Sequence, residues 1–407
     1  MSHAPGAPLE HDASAVVIGA SLAGLRAAQA LRRDGFVGRL VLVGAEDHLP
    51  YDRPPLSKQV LAGTWEPERA SLVDRAALDE LGIDARLGHR AVSLDVDGRS
   101  VELDDGSSVA VDGVVVATGC SPRHLYPDQG VMVLRTIEDS EALRARVVAA
   151  GEGCRLVVIG AGFIGSEVAS TCSGLGCAVT VIEALPVPME AALGATVGAA
   201  LGALHGRHGV ELRVETSVAA VRRGPGGVTS VELGDGTTID ADVVVAGIGV
   251  LPEVGWLEAS DLELDGGVVC DAGLFCAEGV VAAGDLARWP FGGEMVRIEH
   301  WQMAADMGNA AAAALLAGRS AAPAFVPVPY FWSDQYGEKI QMVGHPSPDD
   351  EVVVVDGTLE ERFVALYRRG DALSGAAALT RPRQLMSYRP LLAARASFDE
   401  ALAVAGR

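Results

Sequence analysis

The chain has 407 residues, 54 of them acidic and 32 basic, for a formal net charge of −22 and a mean hydropathy of +0.26. Its length implies two or three domains with real cores. The acidity excludes a general nucleic-acid binder, which needs a positive field, and an apolar half of the composition excludes disorder. The longest stretch without Asp, Glu, Lys or Arg, 191–206, is short for a membrane span and holds four glycines. Residues 1–14 lack a basic patch followed by an apolar core, so they read as a frayed tail rather than a signal peptide. Six cysteines (Cys120, Cys154, Cys172, Cys177, Cys270, Cys276) show no paired metal-type spacing. The expectation is a cytoplasmic protein with reduced thiols, no protein-bound metal and no membrane contact.

Taken in order, the run at 15–18 suits a parallel strand covered on both faces. It meets Gly19-Ala-Ser21-Leu-Ala-Gly24, a helical stretch at 25–34 and a second strand at 40–43, which is a βαβ unit. Short strands at 91–94, 100–103 and 109–111 follow, separated by Asp-Gly turns. A buried strand at 114–118 ends in Thr118-Gly119. The pattern then returns: a strand at 156–159, Gly160-Ala-Gly162-Phe-Ile-Gly165, a helix to about Gly176 and a strand at 178–182. Strands at 228–233 and 242–246 precede Gly247-Ile-Gly249, and a strand at 280–283 meets Gly284-Asp285. A helix is expected over 297–316, then a Pro/Ala linker at 320–329. Strands at 352–355, 363–367 and 373–379 and a terminal helix read as a small antiparallel α+β domain.

A glycine-rich turn between strand and helix lets backbone N–H groups approach a pyrophosphate at the positive helix end. Two such turns, each followed by an acid beyond the next strand, point to two nucleotide sites. The acids are Glu46 and Glu183, placed to accept from ribose hydroxyls. Glu183 would repel a 2′-phosphate, and 184–189 offer no arginine to bind one, so NADH is favoured over NADPH. Only two of the 32 basic residues are lysines, Lys58 and Lys339. A lysine inside a motif therefore carries weight.

The order of motifs carries a resemblance. It runs G-x-S-x-x-G, Tyr51-Asp-Arg53-Pro-Pro-Leu-Ser-Lys58, Ala117-Thr118-Gly119, G-x-G-x-x-G, Gly284-Asp285, Glu299-His-Trp301, then Phe331-Trp332-Ser-Asp334-Gln. From about Ala15 to its C-terminal segment, the chain resembles the FAD-dependent, NADH-dependent ferredoxin reductases that serve cytochromes P450 and ring-hydroxylating dioxygenases. The fold this implies is α/β, with two Rossmann-like nucleotide-binding domains and a small α+β C-terminal domain. The FAD domain would be discontinuous (14–121 and 250–321), the NAD domain would span 122–249 and the C-terminal domain 322–407.

The resemblance also implies roles. Gly19, Ala23 and Gly24 would hold the FAD pyrophosphate, with Ser21 at the middle glycine position, and Glu46 would take the adenosine ribose. Lys58 would sit beside flavin N5, Arg135 would contact FAD, and Asp285 after Gly284 would bind the ribityl and phosphate region. Trp301 would pack at the isoalloxazine. Gly160, Gly162 and Gly165 would take NAD, with Glu167 near the nicotinamide. Arg53, Val92, Thr118, Gly119, Ile164 and Gly249 complete the candidate set. His300 reads as a spacer, and Glu299, Trp332 and Asp334 are weighed beside it. A cation near N5 raises flavin electron affinity, and N–H groups of a helix starting near Trp301 would stabilise negative charge at the N1/O2 edge.

The implied partner is a [2Fe-2S] ferredoxin, and the implied oligomer a monomer or weak dimer. Such ferredoxins are typically acidic, so the acid-free arginine set Arg381, Arg383 and Arg389 is the expected docking patch. Two rivals stand beside this reading. One is a disulfide-type reductase or NADH oxidase, which needs a redox cysteine against the flavin. The other is a nucleotide-sensing scaffold like the apoptosis-inducing-factor flavoproteins.

Overall fold

A computed structural model describes residues 7–224 and 229–405. The described residues fall into two compact units. One lies within Met1–Asp52, Ala70–Ser121 and Leu251–Pro327, the other within Arg53–Arg69, Pro122–Val250 and Val328–Arg407. The fold class is the expected α/β with two Rossmann-like halves and a C-terminal α+β region.

In the first unit, β1 (Ser14–Ile18) and β2 (Arg39–Gly44) pair in parallel, Ala15 opposite Leu40 and Ile18 opposite Val43. They lie inside a six-stranded sheet ordered 275–277, 280–282, 113–116, β1, β2, 83–87. Apart from one edge hairpin its pairs are parallel. That is why the β1 run is apolar throughout: both its faces are covered. Helix α1 (Leu22–Arg33) packs on it, crossing the helix Trp301–Ala317 closely. A Cβ on Gly308 would lie 2.3 Å from the Ala23 carbonyl oxygen, so that crossing needs glycine. A small antiparallel sheet, Ala91–Asp95, Ser100–Leu103 and Ser108–Ala110, stands beside it.

In the second unit, β3 (Arg155–Ile159) and β4 (Ala178–Ile182) lie in a four-stranded parallel sheet, with 211–213 and 243–246 outside them. Helix α2 (Phe163–Gly174) joins β3 to β4, and α3 (Glu190–Arg207) follows. The C-terminal region is a five-stranded antiparallel sheet. Its edge strand β5 (Tyr330–Gln335) pairs with 338–344, and the three expected strands complete it. The helix Phe398–Ala405 ends the described chain. The strand expected over 228–233 is described from Thr229; Val228 lies outside the described residues.

Two expectations change. The tail is not frayed over 9–13. Leu9 is buried, its N–H donates to Leu315 O at 3.1 Å, and His11 O accepts from Val37 and Gly38. The helix expected from 297 starts at Trp301, because Glu294–Val296 pairs as a hairpin with Ala287–Phe291 and His300 is extended at the N-cap. Residues 53–69 cluster with the second unit, to which polar bonds from Ser140 and Thr171 tie them.

Candidate functional site

In the first unit the β1–α1 turn is glycine-dependent at both ends. Gly19 has φ +111°, and a Cβ there would lie 2.1 Å from Ala117 O; one on Gly24 would lie 1.8 Å from Gly19 O. Ser21, at the middle position, is the N-cap of α1 with φ −101° and ψ −164°. That is extended backbone open to any residue, so its Cβ costs nothing. Helix α1 has no side-chain cap and no acid in its first turn. Its first N–H groups are therefore left for an external anion, which fits a pyrophosphate.

Around this turn stand the other candidates. Ala23 meets Gly284, whose Cβ would lie 3.0 Å from that of Ala23. Asp285 O accepts from Arg297 at 2.8 Å, and Arg297 pairs with Glu299 at 2.7 Å. Thr118 Oγ1 donates to Glu253 O at 2.7 Å, and Gly119 takes φ +71°. Glu46 accepts from the Tyr51 hydroxyl. Trp301 opens its helix, and its indole Nε1 donates to Asp52 Oδ1 at 2.5 Å. Tyr51 and Asp52, the two residues ahead of Arg53 in its motif, are thus the partners of Glu46 and Trp301. Val92 is nearly half exposed on the strand Ala91–Asp95.

The second unit repeats the turn. Gly160 has φ +101°, and its Cβ would lie 2.4 Å from Gly247 O; that of Gly165 would lie 2.1 Å from Gly160 O. Gly162 is an extended N-cap, again without a side-chain cap or first-turn acid. Glu183 Oε2 accepts from Ala161 N at 2.7 Å and Oε1 from Leu185 N at 2.9 Å. The carboxylate is thus held against the turn. Ile164 is exposed beside it, and Gly249, with φ +92°, accepts at its carbonyl from Arg123 N at 2.9 Å.

The segment Arg53–Lys58 is fixed to this unit by a series of bonds. Arg53 Nη1 donates to Arg135 O at 2.6 Å, just before the capped helix Ile137–Ala150. Leu56 O accepts from Ser140 Oγ at 2.7 Å, and Ser57 O from Thr171 Oγ1 at 2.7 Å. Lys58 Nζ pairs with Glu167 Oε2 at 2.6 Å and donates to Pro54 O at 3.2 Å. Glu167 is buried on α2. It also accepts from Ser57 Oγ at 2.5 Å and from Ser333 Oγ at 2.6 Å. Ser57, Lys58 and Ser333 all lie inside the motifs, but nothing in the motif spacing brings them to Glu167.

Other weighed residues fall elsewhere. Asp334 pairs with Lys339 at 3.0 Å, across the hairpin of β5, and Trp332 stacks near Tyr330. Cys172 and Cys177 gather with Cys154 at the opposite end of α2 from its glycine turn. Thiol hydrogen bonds, from Cys172 first, bring Cys177 down to about 7, while burial pushes Cys154 up to about 12. Among the described residues no group of His, Cys, Asp and Glu could hold a metal ion.

Residues 13–308 match the model of the pyridine nucleotide-disulphide oxidoreductases, and 330–405 that of the reductase C-terminal domain. The chain belongs to the pyridine nucleotide-disulphide oxidoreductase family. It is 39% identical to the ferredoxin–NAD(+) reductase component of the anthranilate 1,2-dioxygenase system of Burkholderia cepacia, over 94% of this chain and 95% of that one. It is 37% identical to rhodocoxin reductase of Rhodococcus erythropolis, over 93% and 89%. The reductase in a covalent putidaredoxin reductase–putidaredoxin complex superposes with a TM-score of 0.88 at 32% identity, over 94% and 93% of the chains. The expected family and α/β fold are borne out, as are an oxidoreductase with FAD and NAD(H) as cofactors and an NADH-dependent ferredoxin reductase as the enzyme class.

Proposed function

We propose that this protein takes a hydride from NADH through FAD and passes electrons singly to a [2Fe-2S] ferredoxin that serves a cytochrome P450 or a ring-hydroxylating oxygenase. The observation that carries this is the buried Lys58–Glu167 pair, placed by the motif segment Arg53–Lys58 on the helix that follows the second glycine turn. FAD, when bound, supplies a centre that accepts a hydride and gives up electrons one at a time.

The chain's own residues do the rest. The Gly19–Gly24 turn and the uncapped start of α1 bind the FAD pyrophosphate, with Glu46 on the ribose and Asp285 and Trp301 beside the rest of the cofactor. The Gly160–Gly165 turn binds NADH, and Glu183 excludes a 2′-phosphate. Glu167 holds the Lys58 side chain in place, and Lys58 is directed toward the reacting end of the flavin. No acid–base group is needed for hydride transfer, which leaves His300 as a spacer ahead of the helix. Arg381, Arg383 and Arg389 receive the acidic ferredoxin, and the protein works as a cytoplasmic monomer or weak dimer. Among the described residues no helix is long and apolar enough to cross a membrane.

The cysteine cluster beyond the far end of α2 does not favour the disulfide-reductase rival. Anaerobic titration with NADH, followed by added ferredoxin and cytochrome c, tests the reading. Flavin bleaching without a thiolate charge-transfer band, then ferredoxin-dependent cytochrome reduction, is expected. A flavin that NADH does not bleach, or one whose turnover ferredoxin does not accelerate, overturns it.

A further inference from the structure

Strand β5 packs along one face of α2. The rings of Phe331 and Phe163 lie 4.5 Å apart, Ser333 meets Glu167, and Tyr336 N donates to Ser170 Oγ at 2.6 Å. Positions 163, 167 and 170 are spaced to share a helix face. On the strand, Phe331, Ser333 and Gln335 alternate inward and all are buried, while Trp332 and Asp334 point the other way.

A buried serine on an apolar-facing strand has to satisfy its hydroxyl. Here Ser333 Oγ donates its proton to Glu167 Oε1 and accepts from Gln335 Nε2 at 3.1 Å. Among the described residues Gln335 Oε1 is buried and has no hydrogen-bond partner. By donating to the serine oxygen, the amide leaves the hydroxyl proton for the carboxylate. The two carboxylate oxygens are thereby given different work. Oε1 takes Ser333, and Oε2 takes both Ser57 and Lys58.

We propose that Ser333, with Gln335 behind it, is a positioning residue for hydride transfer, fixing the Glu167 carboxylate so that a single oxygen faces Lys58. The inference rests on the reading of Lys58 and Glu167 as part of the flavin-reducing machinery. Without the serine, Glu167 can rotate about its last bond and Lys58 follows it away from its working place. A loss of one hydrogen bond to a buried charged group, about 1.5 kcal/mol, corresponds to roughly a tenfold slower step.

The test is stopped-flow reduction of the holoenzyme's flavin at saturating NADH, in a double-mutant design. Ser333→Ala and Ser333→Cys, the latter of nearly native volume but a poor donor, are expected to slow reduction about tenfold. Ser333→Thr, which keeps the hydroxyl, is expected to restore it. In a Glu167→Gln background, itself slow, Ser333→Ala is expected to add nothing, because there is no carboxylate left to orient. A purely structural role would lower the rate equally in both backgrounds, and that result overturns the proposal. So does full speed in both Ser333→Ala and Ser333→Cys while Glu167→Gln is slow. Full speed in Glu167→Gln itself overturns the underlying reading of the ion pair, and the proposal with it.

Discussion

Lys58 Nζ and Glu167 Oε2 lie 2.6 Å apart, with only 13% and 5% of their side chains exposed. Removing one member of a buried pair leaves an uncompensated charge and costs about 3 kcal/mol or more, whereas replacing both by neutral groups costs much less. Lys58→Met is therefore expected to be clearly less stable in urea unfolding than the Lys58→Met/Glu167→Gln double variant, whose neutral amide still offers Ser57 and Ser333 a hydrogen-bond partner. On the proposed reading both are expected to lose flavin reduction by roughly a hundredfold, because the cation proposed to raise the flavin's electron affinity is gone. A double variant no more stable than Lys58→Met would contradict the pair's burial; an unimpaired reduction rate would contradict its role.

The glycine turns make an asymmetric prediction. A Cβ on Gly24 would lie 1.8 Å from a backbone oxygen, which no side-chain movement can relieve, while Ser21 is extended and uncrowded by its backbone. Gly24→Ala is expected to purify without FAD. Ser21→Gly is expected to keep its FAD affinity within about twofold, since the Cβ it removes cost nothing in that extended backbone. Flavin absorbance after desalting reads both.

Both βαβ units were legible because a strand covered on two faces must be apolar without a break, and each such run stopped at a glycine. The three C-terminal strands at 352–379 were legible from alternation and turns. What could not be read were bonds between distant segments. Nothing local in Pro54-Pro-Leu-Ser57-Lys58 says that its carbonyls are taken by Ser140 and Thr171, and these are what place 53–69 in the second unit. Serine is too common a residue for Ser57 and Ser333 to stand out. The signal that could have found Ser333 was the period of two in Phe331-Trp-Ser-Asp-Gln335. Read as a strand, it separates Phe, Ser and Gln from Trp332 and Asp334, the two residues the motif had drawn attention to.

Glu183 accepts two backbone N–H groups at the second glycine turn. Glu183→Ala should lose the brace as well as the ribose acceptor, raising the KM for NADH about tenfold or more. Glu183→Arg should in addition lower the KM for NADPH relative to Glu183→Ala, by supplying a cation for the 2′-phosphate. Steady-state ferricyanide reduction with both coenzymes measures this. An Arg variant no better with NADPH than the Ala variant would remove Glu183 from the coenzyme site.

His205 sits fully buried on α3, with Nδ1 2.7 Å from the Tyr336 hydroxyl and Nε2 3.4 Å from Ser166 Oγ. Burial brings its pKa down to about 4, so it folds neutral and resists charging. The unfolded chain takes up that proton near pH 6.5. Stability from this site is complete above pH 6.5 and drains away as the pH falls toward 4, by roughly 3 kcal/mol at most. In urea unfolding at pH 7 and pH 4.5, His205→Gln should be less stable than the native chain at the higher pH and lose less on acidification. Parallel losses in the two proteins would refute the assignment.

The net charge of −22 poses the docking problem. An acidic ferredoxin would be repelled by the protein as a whole, so the docking proposed above would have to rely on the local arginines Arg381, Arg383 and Arg389. Within the cluster the three candidates are not equal. Arg381 lies 3.3 Å from Asp356 and is partly neutralised by it, while Arg383 is exposed on the short helix Pro382–Met386 and Arg389 is half-buried at the start of the next. Charge reversal at Arg383 should therefore raise the ferredoxin KM more than reversal at Arg381, where Asp356 already offsets the charge. Rim charges act mainly on encounter, so the effect should be greatest at low ionic strength and fade as salt screens it. Ferricyanide reduction, which needs no docking, should stay unchanged in both. Equal and salt-independent KM values for native protein, Arg383→Glu and Arg381→Glu would place the ferredoxin on another surface.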